Sequence, residues 1–252
     1  MQLQPLPSFP MIVSGDSLAE IIVELTKKQA IELPPGSILV VAQKVVSKAE
    51  GRIVDLKSVK VSKKAQTLAH STGKDPRLVE LILQESRSII RTRHGLLITE
   101  HRTGHILANA GIDISNVSDS INSDDVLLWP EDPDASAHGL SARLSEAFGF
   151  FIPVIINDSL GRPWRLGTVG SAIGSYGLEP VWNQIGETDL FGQPMHSTAP
   201  AMADAIAAAA SLVQGETDQG LPVVWVTGCA MRTGLKETSR GLLRPRDQDM
   251  FR

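Results

Sequence analysis

The sequence predicts an α/β or α+β fold in which a mixed sheet is flanked by helices. Three short apolar segments, residues 38–41, 153–157 and 222–226, are bounded by turn-forming or polar residues and are typical of buried strands. Amphipathic segments with capping residues at their ends lie between these strands and predict helices. The sequence does not specify the order of the strands in the sheet.

The first predicted helix begins at Asp16, because apolar residues follow it at helical spacing up to Leu25. A turn at residues 34–36, Pro-Pro-Gly, separates this helix from the strand at residues 38–41. Residues 43–51 are mostly polar and directly follow that buried strand, so we expect a turn there that presents polar side chains.

A capped helix begins at Asp75, where Pro76 occupies the first helical position, and its apolar positions continue to Ile89. The elements predicted after it are a β-hairpin over residues 95–108, a helix from Asp132 to Gly149, a strand over 153–157 that ends at Asp158, an alanine-rich helix over 203–213 that ends at Gly215, and a strand over 222–226.

Length and composition limit the possible classes of protein. A chain of 252 residues fits a single unit over residues 1–252, with two subdomains as the alternative. The net charge of −4 argues against nucleic-acid binding, which needs a basic surface. One cysteine excludes a disulfide framework. No signal peptide and no membrane-length apolar segment is visible, so we expect a soluble, cytoplasmic protein.

Two aspartates indicate a candidate metal site. Asp113 and Asp158 each follow an apolar strand, and the ends of strands in α/β proteins line clefts. Carboxylates that converge there can bind a hard cation such as Mg²⁺ or Mn²⁺ together with substrate phosphates. The alternative, that each aspartate is only a turn or capping residue, stays open from the residues alone.

Basic residues near these aspartates suit an anionic ligand. Arg162 and Arg165 lie among glycines that would let a ligand approach the backbone, and Lys44 and Lys48 follow the first strand. Solvated surface residues are the alternative interpretation of all four. The sequence contains no phosphate-binding P-loop, no dinucleotide fingerprint and no nucleophile elbow.

The ordered set of motifs resembles the coenzyme F-420 γ-glutamyl ligase family. The resemblance covers residues 39–228 and extends toward the N-terminus. The motifs that carry it are VVSKAEGR (45–52), KDPRLVE (74–80), NAGID (109–113), PEDPD (130–134), Asp158-Ser159 leading into GRPWR (161–165), AIG (172–174) and GETDLFG (186–192).

The resemblance implies a GTP-dependent ligase that adds L-glutamate to the deazaflavin precursor through an acyl phosphate, with successive γ-linked glutamates. It also implies two Mg²⁺ or Mn²⁺ ions, K⁺ as a further candidate ion, and an intertwined homodimer with the fold of the family. We expect neither nucleic acid nor membrane as a partner. The chain ends at Arg252, so we expect no fused nitroreductase-like domain.

The same resemblance assigns roles to individual residues. It places Asp113 and Asp158 at the metal ions, with Ser159 and Gln214 at the second ion, and makes the two aspartates catalytic together with Arg162 and Arg165. It implies that GTP is contacted by Pro7, Ser8, Phe9, Pro10, Ser47, Lys48, Asn116, Leu212, Val213, Gln214, Gly215, Glu216, Thr217, Asp218 and Gln219.

Two other functions remain open from the sequence. A metal-dependent phosphohydrolase would use the same carboxylates and arginines, and a catalytically silent protein would bind the nucleotide or the deazaflavin without turnover. The number of glutamates added, the precursor variant, the preferred metal and strict use of GTP are not encoded in any pattern that we identify, and the acidic loop at residues 186–192 has no assigned role.

Overall fold

The computed structural model describes residues 1–117, 124–230, 232–235 and 237–251. In chain order its helices and strands are β1 (Gln2–Pro5), α1 (Leu18–Lys28), β2 (Ile38–Ala42), α2 (Gln43–Ala49), β3 (Ile53–Asp55), α3 (Lys63–Thr72), α4 (Pro76–Gln84), β4 (Ser86–Arg93), β5 (Leu96–His101), β6 (Ile106–Ala108), β7 (Asp125–Leu127), α5 (Pro133–Phe148), β8 (Val154–Arg162), β9 (Arg165–Tyr176), α6 (Met202–Gln214) and β10 (Val223–Thr227).

The central sheet has five strands in the order β1-β10-β2-β8-β9. Strands β2 and β8 are parallel, whereas every other neighbouring pair is antiparallel. The predicted mixed sheet is therefore confirmed, and the three predicted buried strands form its centre. Two smaller sheets accompany it, one formed by β3 and β7 and the other by β4, β5 and β6 in that order.

Both faces of the central sheet are covered, so its middle strands are apolar throughout. Leu39, Val154 and Trp225 belong to a core that includes α1 and α5. The alternate residues Val40 and Ile155 belong to a second core that includes α6. Because successive side chains point to opposite faces of a strand, two covered faces require an uninterrupted apolar run.

The predicted starts of α4 and α5 at capping aspartates are confirmed, whereas α1 begins at Leu18 after Ser17 and not at Asp16. The carboxylate of Asp75 accepts a hydrogen bond from the backbone N–H of Arg77 at the start of α4. Asp132 caps α5 in the same way, with Pro133 at the first position, and Gly149 ends that helix in the left-handed conformation. Within the described ranges, no helix is both long enough and apolar enough to cross a bilayer.

One predicted element type and two further predicted boundaries are wrong. Residues 43–49 form helix α2 instead of a turn, helix α4 ends at Gln84 instead of continuing to Ile89, and the strand predicted to end at Asp158 continues to Arg162. Pairing between strands explains the last two differences. Residues 86–93 pair with β5, and residues 157–162 pair with β9 to form a long hairpin, so tertiary contacts outweigh local preference.

Candidate functional site

The candidate site lies at the end of the parallel pair of strands in the central sheet. The register of β2 and β8 places Ala42 beside Asn157, so the next residues, Gln43 at the start of α2 and Asp158 within β8, lie at the same edge. A cavity of about 690 Å³ opens at this edge, a size typical of small-molecule sites. The adjacent strand ends thus position the polar residues as expected for an α/β cleft.

Asp113 reaches the cavity from a different part of the chain. Its backbone N–H and C=O both bond to Leu127, each at 2.9 Å, which fixes the segment that follows β6. The ammonium group of Lys44, on the first turn of α2, lies 2.9 Å from Oδ1 of Asp113. Lys44 also donates to the backbone carbonyl of Ser115 at 3.2 Å, so it ties α2 to the Asp113 segment.

Asp158 lies within β8 and is oriented by two donors. The indole Nε1–H of Trp129 donates to Oδ2 at 2.8 Å, and the backbone N–H of Ser159 donates to Oδ1 at 2.8 Å. A carboxylate has about four lone-pair positions. Both oxygens of Asp158 therefore keep acceptor capacity after these two hydrogen bonds.

The two carboxylates influence each other electrostatically. Burial, with the negative charge of Asp113 as the next cause, raises the pKa of Asp158 to about 7. The pKa of Asp113 is also raised, first by burial and then by the charge of Glu216, although the ammonium group of Lys44 opposes the shift. Pairs of carboxylates with raised pKa values are more frequent at functional sites than elsewhere.

The donor set at this edge fits a hard cation. Oδ2 of Asp113, Oε1 of Gln43 and Oδ1 of Asn157 are buried and have no hydrogen-bond partner within the described part of the chain. A divalent cation of the Mg²⁺ type prefers carboxylate and amide oxygens. Among the described residues, no cluster of three or more His, Cys, Asp or Glu side chains could hold a metal. An ion here would rely on two carboxylates, neutral oxygens and the ligand.

The opposite wall of the cavity is the segment that follows helix α6. Gln214 accepts a hydrogen bond from the side-chain N–H of Asn157 at 3.0 Å and donates to the carbonyl of Pro222 at 2.9 Å. The side-chain N–H of Asn116 donates to the carbonyl of Thr217 at 3.1 Å. These contacts connect the wall to β8 and to the segment that carries Asp113.

Most of the predicted site residues line this one cavity. They are Phe9, Pro10, Lys44, Lys48, Asp113, Asn116, Asp158, Ser159, Gln214, Gly215, Glu216, Thr217, Asp218 and Gln219. Lys48 is largely buried in the lining.

Seven predicted residues do not line the cavity: Pro7, Ser8, Ser47, Arg162, Arg165, Leu212 and Val213. Ser47 is fully buried and accepts a hydrogen bond from Gln43, whereas Leu212 is exposed. Arg162 and Arg165 are partners at the exposed tip of the β8–β9 hairpin, and the cavity lining reaches only the pair before them, Gly161 and Thr168.

Sequence reasoning missed Gln43, Asn157 and Trp129 as site residues. Gln43 and Asn157 are the first polar residues after two apolar runs of the sequence, and that position was the available signal. Trp129 carried no comparable signal, because its contact with Asp158 joins segments that are distant in sequence.

The fold and the site together define an α/β protein with a small-molecule cleft in which two carboxylates and two lysines converge at the sheet edge. The family model described as F420-0:Gamma-glutamyl ligase matches residues 8–228. The chain belongs to this family, which confirms the resemblance drawn from its motifs.

Curated relatives match over nearly their full length. The chain is 45% identical over 246 residues to a coenzyme F420:L-glutamate ligase of Methanothermobacter thermautotrophicus, covering 96% of this chain and 95% of the relative. It is 41% identical over 255 residues to a protein of the same name from Methanopyrus kandleri, covering 100% of this chain and 98% of that relative. A third, from Methanocaldococcus jannaschii, is 38% identical over 243 residues, which is 96% of this chain and 94% of the relative.

Proposed function

We propose that this protein joins L-glutamate to the deazaflavin precursor of coenzyme F420 in a GTP-dependent reaction, and that it can add further glutamates through γ-linkages. Family membership and the names of the relatives support the ligase activity and the two substrates. The observation that carries the proposal is the pair Asp113 and Asp158 at one end of the cavity, with Lys44 beside Asp113.

The reaction would proceed in two steps. A carboxylate oxygen of the precursor attacks the γ-phosphorus of GTP, the bond to the β-phosphate oxygen breaks, and GDP leaves with an acyl phosphate formed. The amine of L-glutamate then attacks the acyl carbon, inorganic phosphate leaves, and the amine loses a proton as the amide forms. Phosphoryl transfer of this kind depends mainly on positioning and on neutralising charge.

The residues of the site would meet those two demands. Lys44 and Lys48 would attract the anionic phosphates, and the segment from Gln214 to Gln219 would enclose the nucleotide. Asp113, Asp158 and Ser159, with Gln214, would hold Mg²⁺ or Mn²⁺, and K⁺ is a further candidate ion. Such ions, when bound, neutralise charge that develops on the phosphate oxygens.

The experiment that tests this proposal is mass spectrometry of the deazaflavin precursor after incubation with the protein, GTP, L-glutamate and Mn²⁺ or Mg²⁺. We expect glutamate-sized mass increments that require both GTP and glutamate. An unchanged precursor with GTP converted to GDP would contradict the ligase and support the phosphohydrolase. An unchanged precursor with intact GTP, while both ligands bind, would support the silent binding protein.

We also propose that the protein forms a homodimer, as the family resemblance implies. The β8–β9 hairpin exposes Trp164 (87%) and Leu166 (99%) at its tip, and the loop at residues 186–192 exposes Leu190 (99%) and Phe191 (87%). Clusters of exposed large apolar side chains are typical of interaction surfaces. Light scattering coupled to gel filtration should give a mass of two chains, and a mass of one chain would contradict the proposal.

A further inference from the structure

Trp129 contacts both of the chain segments that supply the carboxylates of the site. The ring is fully buried, and its one donor, Nε1–H, is directed to Oδ2 of Asp158 at 2.8 Å. Trp129 also lies two residues after the end of β7, and that last strand residue, Leu127, exchanges two backbone hydrogen bonds with Asp113. The short segment from Leu127 to Trp129 therefore holds the backbone of one aspartate and the side chain of the other.

The position of the indole is fixed from several sides. A Cβ atom at Gly111 would lie only 2.4 Å from Nε1 of Trp129, so the ring packs directly against that glycine, two residues before Asp113. The rings of His101 and His105 lie with centroids 4.9 Å and 5.4 Å from the indole. The side chain of Arg52 donates to the backbone carbonyl of Trp129 at 2.8 Å.

A side chain fixed in this way can set the orientation of the carboxylate that it contacts. An indole donates one hydrogen bond and accepts none, so its contact with Asp158 leaves the second lone pair of Oδ2 available. Donors that contact a metal-ligating carboxylate orient it, and losing one commonly weakens metal binding by about 10–100-fold.

We infer that Trp129 is a positioning residue for the metal site: its indole N–H holds Asp158 in the orientation in which that carboxylate and Asp113 bind one divalent cation. The inference rests on the proposed function, since it requires that Asp158 binds a metal ion. It assigns a role to a residue that does not itself line the cavity.

The test compares Mn²⁺ binding by the full-length wild-type protein and by Trp129→Phe, measured by electron paramagnetic resonance of free Mn²⁺. Phenylalanine keeps an aromatic ring and removes the N–H donor, so we expect Mn²⁺ to bind at least about tenfold more weakly. In ligase assays, the Mn²⁺ concentration for half-maximal rate should rise by a similar factor, whereas kcat at saturating Mn²⁺ should recover toward the wild-type value.

Trp225→Phe is the matched control. Trp225 is also fully buried with one indole hydrogen bond, to the hydroxyl of Thr26 at 3.1 Å, and it lies in the core outside the cavity lining. We expect this control to lose stability like Trp129→Phe and to keep wild-type Mn²⁺ affinity. If Trp129→Phe binds Mn²⁺ as tightly as the wild type, the positioning role is wrong while the metal site stands. A wild-type protein that does not bind Mn²⁺ would overturn the metal site itself.

A second measurement requires no variant. The four tryptophans give indole ¹H–¹⁵N resonances, and the addition of diamagnetic Mg²⁺ should shift the resonance of Trp129 and leave that of Trp225 unchanged. If both resonances stay unchanged while Mg²⁺ binds, the indole does not sense the ion, and the inference is overturned even when Trp129→Phe fails to fold.

Discussion

The ammonium group of Lys44 lies 2.9 Å from Oδ1 of Asp113, and Oδ2 of the same carboxylate is buried without a hydrogen-bond partner in the described portion of the chain. One oxygen is therefore compensated by the protein and the other is not. An uncompensated buried oxygen costs free energy. A cation bound at Oδ2 would therefore lower the free energy of this carboxylate, whereas Lys44 already places a positive charge at Oδ1.

Replacing Lys44 tests phosphate binding and metal binding separately at this end of the cavity. Lys44→Met removes a positive charge that would attract phosphates, so we expect GTP to bind about tenfold more weakly. It also makes the surroundings of Asp113 more negative, so Mn²⁺ binding should not weaken. Isothermal titration with each ligand measures both effects. Lys28→Met, on the exposed end of α1, is the control and should change neither affinity.

Asp158→Asn should abolish turnover and preserve the fold. The change removes the negative charge that would bind the cation but keeps nearly the same side-chain volume. We expect kcat to fall at least about 100-fold. The circular dichroism spectrum should change little, because only one of the two donors to Asp158 loses its acceptor, at a cost in stability of about 1 kcal/mol. Glu146→Gln, on the exposed face of α5, should retain wild-type activity. A purified Asp158→Asn protein that ligates at the wild-type rate would contradict the metal-site assignment.

Two glycines with similar backbone conformations should respond differently to alanine. Gly111 has φ +69°, and its added Cβ would lie 2.4 Å from the indole of Trp129, whereas Gly95 has φ +79° and open space around it. We expect Gly95→Ala to lower the free energy of unfolding by about 1 kcal/mol from backbone strain alone. Gly111→Ala should cost about 1–3 kcal/mol more because the ring must move. Urea unfolding measures the difference, and equal losses would show that the indole is not held tightly.

The sequence predicted elements whose evidence is local. The buried strands β2, β8 and β10 are apolar runs, and α4 and α5 begin at Asp-Pro pairs that need no tertiary information. Helix α3 was not predicted because its buried positions include Ala65 and Ala69, which give little contrast between its two faces. The sequence pattern extends α4 into strand β4 because Ile89 continues the helical spacing by coincidence, and only the pairing with β5 makes residues 86–93 a strand.

The candidate site shows the same division between local and distant information. Asp113 and Asp158 stood out because polar residues at strand ends are a local signal. That they share a cavity with residues 214–219 depends on the packing of α6 against β2 and β8, which no single segment of the chain encodes. Trp129 could not be assigned for the same reason, since its role depends on the distant carboxylate that accepts its N–H.

Glu85 gives the fold a dependence on pH that is separate from the site. Its carboxylate contacts Arg52 at 3.0 Å, Arg102 at 2.9 Å and His101 at 3.5 Å. Burial raises the pKa of Glu85, but the nearby imidazole of His101 and the charges of both arginines outweigh burial and lower the pKa to about 2. A carboxylate with a lowered pKa in the folded state contributes stability above its unfolded pKa of about 4.3. That contribution is lost as the pH falls toward 2.

Comparison of the wild type with Glu85→Gln should reveal this contribution. At pH 7 the variant should unfold more easily, by about 3 kcal/mol, and the difference should shrink steadily as the pH falls from about 5 toward 2. Glu24→Gln, on the exposed side of α1, is the control for the loss of one exposed carboxylate and should change the free energy of unfolding at pH 7 only slightly. Urea unfolding across this pH range is the measurement. If the difference in free energy of unfolding between Glu85→Gln and the wild type does not change with pH, the arginines act on Glu85 through packing alone. Protonation of Glu85 removes a charge interaction with the arginines, so a contribution from that interaction would have to change with pH.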